Sequence, residues 1–382
     1  MELERQANVE KLGSWTFEIG LWVGQSATPN VMGRKGGKNE HSARARTISF
    51  LNDTGRKGKD SPVPLENCPW CGTDADVWAE VERRRRGDAD ESKGIKQAEI
   101  ETLLSQKQTM GEDKPEGDFY ARTHPLGWLP AQAIGKVDRL VLTHRLREVT
   151  AQIGFSRFDS PTPDVDGELD LDVELAPLGR DLSWFPASQN RGEGIFLSFD
   201  ARAIDAWLQR PGVKARAEQL MAGHREAKKR SGQEKLEFAG LPYIMLQSLS
   251  HLLLQSLSLD CGYSASAIRE RIYAGDSGYG ILLYTGTPGS EGTLGGLVDV
   301  GREIGVHLER ALERGRLCSN DPVCSEHDPA DRHAERFMHG AACHGCLLIA
   351  ETSCERRNEL LDRALVVPTV AMSDAAFFTD IE

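Results

Sequence analysis

Five cysteines fall within 37 residues, at Cys318, Cys324, Cys343, Cys346 and Cys354. The core of the group is Cys343-His344-Gly345-Cys346, a short loop that lets two thiolates grip one ion from one side. Cys318 and Cys324 can supply the other two ligands, and Cys354 is a fifth thiol able to replace one of the four. Zinc takes four ligands in a tetrahedron, and four thiolates leave no open position, so such a site is structural and performs no hydrolysis. His327, His333, His339 and His344 stand near enough in sequence to compete as ligands; the bland alternative is a set of unligated buried thiols. A second pair, Cys68-Pro69-Trp70-Cys71, is half of a zinc knuckle. It needs two more ligands, with His41 or His124 as candidates, or else it is an incomplete knuckle or a redox pair. Cys261, at the end of an apolar helix, reads as a core residue.

Other chemistry finds little support. The segment Thr285–Gly296 is glycine-rich, with a strand expected before it and a helix after it, where backbone N–H groups could cradle a phosphate. It lacks the Gly-Lys-Ser/Thr ending of a P-loop, and Glu291 in its middle would repel phosphate, so a packing role is the better reading. His251 lies in a leucine-rich helix and reads as a satisfied core histidine. No Gly-x-Ser-x-Gly elbow or HExxH is present. The carboxylates of 159–181 lack an EF-hand pattern and read as solvated surface.

The elements that must position the cysteines follow from periodicity. Leu246, Leu249, Leu253 and Leu257 recur at helical spacing, with Pro242 at a first helical position, so 242–259 is the strongest expected helix. Ser264 is expected to cap a further helix through Ile268, Arg269, Arg271 and Ile272. Residues 280–284 read as a buried strand and 297–316 as an amphipathic helix. Upstream, Trp15–Gly24 and 194–199 read as strands, 137–158 as an alternating segment turning at Gly154, and 201–209 and 212–237 as helices. This mixture indicates an α/β fold with a C-terminal four-cysteine zinc-binding module, preceded by a poorly ordered N-terminal fragment. The expected division is 1–80, an N-terminal fragment with the half-knuckle; 81–133, a disordered or partly helical linker; 134–240, an α/β region; 241–370, the zinc-binding domain; and 371–382, a tail.

Composition bounds the function. The 382 residues carry 46 Lys+Arg against 58 Asp+Glu, a net charge of −12, which argues against coating nucleic acid by charge alone. Local basic segments at 34–59, 83–86 and 225–230 remain candidates for phosphate contact. The most apolar run, 244–259, is broken by Gln247, Ser248, Ser250, His251 and Gln255, so no membrane span is expected. The first residues contain no apolar signal core, which makes a reducing cytoplasm the expected compartment, with cysteines as thiols or metal ligands.

Several segments, taken in order, carry a family resemblance. They are Val137-Asp-Arg-Leu140, Asn190-Arg-Gly-Glu-Gly-Ile-Phe-Leu197, the run Cys261–Tyr273, Ser290–Gly296, Cys318-Ser-Asn-Asp-Pro-Val-Cys324, His339–Cys346 and Glu351–Glu355. From about residue 135 onward the chain resembles proteins with an MrfA-like zinc-binding domain, in the form of the C-terminal part of DrmB of DISARM anti-phage systems. Residues 12–73, with Gly20–Asn30 and Cys68–Thr73, resemble an internal piece of a DISARM-type helicase such as DrmA. The resemblance implies that the α/β region 134–240 is a helicase-associated domain, that a structural Zn2+ is held by Cys318, Cys324, Cys343 and Cys346, with Cys354 as the doubtful fifth, and that the chain works beside a superfamily 2 helicase on DNA in phage defence. The Walker A lysine and the Walker B acidic pair are absent, so an autonomous ATPase is not expected, and DNA contact is expected through the complex. The alternatives are a nucleotide hydrolase or nuclease, or a rearranged remnant serving as a scaffold whose helix 242–259 docks on a helicase.

Overall fold

Helix α4, Leu241–Asp260, is buried around nearly its whole circumference, its leucines together with Gln247, Ser250 and His251, and a helix of that kind can only be stable when it is surrounded. Tyr243, Met245, Leu246, Leu249 and Leu252 have no exposed surface, and the helix packs against a sheet, another helix and a C-terminal turn. In this computed structural model the described residues are 95–115, 117–152, 154, 186–231, 237–286, 296–331, 336 and 338–379. The sequence features at Trp15–Gly24, Cys68–Cys71, 34–59, 83–86 and 160–174, together with His41, Glu291 and His333, lie outside them.

The chain divides into two units. Of the first (Met1–Asp90, Glu148–Pro161, Leu171–Gln189), mainly the ends of two long strands are described, where the Gln152 N–H donates to the Pro186 carbonyl at 2.8 Å. The second unit (Glu91–Arg147, Thr162–Asp170, Asn190–Glu382) contains the rest. In chain order the elements are α1 (Ile95–Leu103), β1 (Thr109–Gly111), β2 (Phe119–His124), β3 (Val137–Ala151), β4 (Ala187–Phe199), α2 (Ala201–Leu208), α3 (Pro211–Ser231), α4, β5 (Ile268–Gly275), β6 (Gly278–Thr285), α5 (Gly296–Gly301) and α6 (Ile304–Arg316). The sheet order is β1-β2-β3-β4-β6-β5, antiparallel at β1–β2, β2–β3, β4–β6 and β5–β6. Helices and sheet mix as expected.

Four local expectations change. The segment after Ser264 is a 3-10 turn, Ala265–Ala267, followed by strand β5, and the Ser264 side chain caps nothing. The reason is tertiary: Ile268, Glu270 and Ile272 alternate onto one buried face, and β5 pairs with β6 from Ile268↔Thr285 to Gly275↔Gly278. The expected single helix 297–316 is broken into α5 and α6, with Gly301 so close to Ile195 and Leu142 that a Cβ there would stand 2.8 Å from each. In the stretch 81–133, expected as a disordered or partly helical linker, the described part carries helix α1 together with two strands that were not expected. Helix α1 buries Ile100 and Leu103 and joins β5 through Glu99, which accepts from Arg271 Nε at 2.5 Å and Tyr273 Oη at 2.8 Å. The tail is also built in: Phe377 and Phe378 are buried, and Trp207 Nε1 donates to the Ala375 carbonyl at 2.9 Å.

Candidate metal centre

Cys318 lies two residues beyond α6, after the cap residue Leu317, whose N–H donates to the Arg314 carbonyl at 3.2 Å. Two backbone turns bring Cys324 back beneath it: the Asp321 N–H donates to the Cys318 carbonyl at 3.0 Å and the Cys324 N–H to the Asn320 carbonyl at 2.9 Å. The second arm closes in the same manner, the Cys346 and Leu347 N–H groups donating to the Cys343 carbonyl at 3.1 and 3.0 Å. The sulfurs of Cys318, Cys324, Cys343 and Cys346 all lie within 4.8 Å of one another. Sγ–Sγ distances are 3.4 Å for Cys318–Cys343, 3.8 Å for Cys324–Cys346 and 3.8 Å for Cys343–Cys346. A tetrahedron with zinc–sulfur bonds of about 2.3 Å requires sulfurs about 3.8 Å apart. The donor set therefore fits a structural zinc site, with Cys324 and Cys346 buried and Cys318 and Cys343 half-buried.

The surroundings favour sulfur as an acceptor. The Asn320 N–H donates to Cys318 Sγ at 3.4 Å, the Gly345 N–H to Cys343 Sγ at 3.3 Å, and Asn320 Nδ2 also to Cys343 Sγ at 3.3 Å. At Cys343 burial opposes ionisation, but the bonds from Asn320, Cys318 and Gly345 outweigh it and pull the thiol down to about 7. Burial pushes the Cys318 thiol up to about 11, and the hydrogen bond with Cys346, with burial, pushes Cys324 up strongly. Gly345 permits the approach of the arms, since a Cβ there would stand 2.8 Å from Ser319 Oγ. Arg363, fully buried, grips Asp321 of the first arm with both carboxylate oxygens at 2.5 and 2.6 Å.

The other candidates are placed elsewhere. His327 Nε2 meets the Arg336 carbonyl at 3.1 Å, His339 Nε2 meets the Asn358 carbonyl at 2.5 Å, and His344 is exposed. Cys261 is a buried thiol next to the helix it ends. Cys354 lies in a second group, with His251 and Glu270, whose ligand atoms are also within 4.8 Å of one another. Burial and Glu270 push its thiol up. Glu270 was not singled out from sequence; the signal that could have found it is an acid between Ile268 and Ile272 on the buried face of a strand.

The family model of the MrfA Zn-binding domain matches residues 249–347, a span that holds all four clustered cysteines. The chain is 38% identical over 289 residues to DISARM protein DrmB of Bacillus paralicheniformis, covering 74% of this chain and 49% of that protein. It thus spans about half the length of the curated relative it matches. Among solved structures it is similar to a crystal structure of the DUF1998 helicase MrfA bound to DNA, at 11% identity over 59% of this chain and 23% of that one, with a TM-score of 0.25, too low to argue a shared fold.

Proposed function

We propose that this chain, which carries an MrfA Zn-binding domain, is a non-catalytic accessory subunit of a helicase-containing, DISARM-like DNA-processing or anti-phage system. A separate superfamily 2 helicase supplies the motor. The observation that carries the reading is the four-thiol cluster inside the matched domain, on a chain 38% identical to a DISARM protein DrmB.

Cys318, Cys324, Cys343 and Cys346 hold the ion. A zinc closed by four sulfurs supplies a cross-link and no site for water or substrate. The residues around it act by holding: the Asn320 and Gly345 N–H groups steady the sulfurs, and Arg363 fixes the first arm through Asp321. The ordered surface this creates is what a helicase would dock on. Helix α4 is not that surface, because its residues are spent on the chain's own core. The complex works in the cytoplasm, and no helix among the described residues is long and apolar enough to cross a membrane. DNA is met through the complex; of the basic segments, 225–230 lies on α3, with Arg225 and Arg230 exposed.

The test is co-expression with a superfamily 2 helicase of a DISARM-type system. Co-purification, with ATP hydrolysis only when the helicase is present, is expected. ATP hydrolysis or DNA cleavage by the isolated chain with Mg2+ would overturn the non-catalytic reading in favour of a hydrolase or nuclease.

A further inference from the structure

The group formed by His251, Glu270 and Cys354 has the composition of a metal site of its own. On α4, Gln247, Ser250 and His251 share one face, spaced i, i+3, i+4. Opposite, β5 turns Glu270 inward, and the turn after Ser353 brings in Cys354. The His251 and Glu270 side chains have no exposed surface, and Cys354 is buried.

Three features ask for a cation there. His251 Nδ1 lies 2.9 Å from the Leu347 carbonyl, which can only accept, so this nitrogen carries the ring proton. In the neutral ring Nε2 is then a lone pair, and it faces Glu270 Oε1 at 3.2 Å. A ring nitrogen and a carboxylate oxygen at this distance share a positive centre, which a proton or a metal ion can supply. A zinc with nitrogen and oxygen ligands at about 2.0 Å would set those atoms about 3.3 Å apart. Next, Cys354 Sγ receives three donors: the Arg356 N–H at 3.4 Å, the Asn358 N–H at 3.1 Å and Gln247 Nε2 at 3.2 Å. The first of these is the bond from residue i+2 that Cys318 receives from Asn320 and Cys343 from Gly345 in the four-cysteine cluster. Lastly, Gln247 Oε1 is buried with no hydrogen-bond partner, an oxygen donor left over beside the sulfur.

We propose that Cys354, His251 and Glu270 bind a second divalent ion of borderline softness, a zinc, with the Gln247 amide as the neutral fourth donor. The charges close: a dication with one thiolate, one carboxylate and a neutral imidazole sums to zero, which is what a dry interior tolerates. The thiol proton leaves to solvent on binding. Sulfur and imidazole select zinc over magnesium or calcium. Outer partners are in place: the Glu355 N–H donates to Glu270 Oε1 at 3.1 Å, the Ser250 hydroxyl donates to Oε2, and the Leu347 carbonyl orients the imidazole. The ion ties α4, β5 and the C-terminal segment together. Leu347, whose carbonyl orients the imidazole, directly follows Cys346 of the four-cysteine site.

Elemental analysis of the full purified chain, with X-ray absorption at the zinc edge, tests this without any variant. Two zincs per chain are expected, with a mixed shell of sulfur near 2.3 Å and nitrogen or oxygen near 2.0 Å, averaging about two and a half sulfurs per zinc. Cys354→Ser and His251→Gln should each lose one of the two equivalents and leave an all-sulfur shell. One zinc per chain with only sulfur around it would overturn the second site and leave the four-cysteine zinc standing. Two equivalents retained in both variants would overturn it as well. Loss of the all-sulfur component from the wild-type chain, by contrast, would strike at the four-cysteine site.

Discussion

Asp362 has no exposed surface yet accepts from three groups: Arg216 Nε at 2.7 Å, the Ala341 N–H at 2.9 Å and the Ala364 N–H at 3.0 Å. It ties α3 to the segment just before the Cys343 arm. Asp362→Asn leaves the buried Arg216 charge without its counter-charge, so urea unfolding should report a loss of about 3–5 kcal/mol. Cys346→Ser should be worse for zinc and comparable for stability. It removes one of four ligands, and a loss of about 3 kcal/mol or more should lower Tm by about 6–12 °C, with the clustered zinc released on dialysis. The spacing points to Cys318, Cys324, Cys343 and Cys346 as a cluster, because a C-x-x-C loop and a preceding pair have a known geometric meaning, but it leaves open whether Cys354 replaces one of them. Cys354 was only countable as a fifth thiol. Its distance from the others depends on where the turn after Ser353 runs, which no spacing rule encodes.

Among the elements, α4 was readable because a leucine at every turn and a proline at the start leave few alternatives, and the structure moves its ends by one residue each. Strand β5 was misread as a helix, since Ile268–Ile272 alone satisfies either period and only pairing with β6 selects the strand. Helix α6 is held by contacts that its sequence does not reveal. At Gly305 a Cβ would stand 1.8 Å from the Trp128 carbonyl oxygen, a backbone atom that cannot swing aside. Gly305→Ala gains up to about 1 kcal/mol of helix propensity but should still destabilise by about 3 kcal/mol, because the overpacking is against main chain. A thermal melt decides the sign: a raised Tm would refute the close approach.

At the scale of the whole molecule, His144, His307, His327 and His339 are all held below the usual histidine value, in each case chiefly by burial. Their folded pKa values are depressed, so the unfolded chain binds more protons below about 6.5, and the stability they contribute is present above that pH and lost as pH falls. Urea midpoints should therefore fall between pH 7.5 and 5.5, before carboxylates titrate. His339→Gln, which keeps a donor for the Asn358 carbonyl, should make that slope shallower. By itself the sequence determined the mixed fold, the central helix, the absence of an apolar span and the four-thiol site, since each depends on residue types at short range. Tertiary structure alone decided that 95–133 and the last residues belong to the folded body, that β5 is a strand, and that Cys354 meets His251 and Glu270. Those outcomes depend on contacts between residues as much as 259 positions apart, such as Lys96 with Glu355, whose energies no local pattern contains.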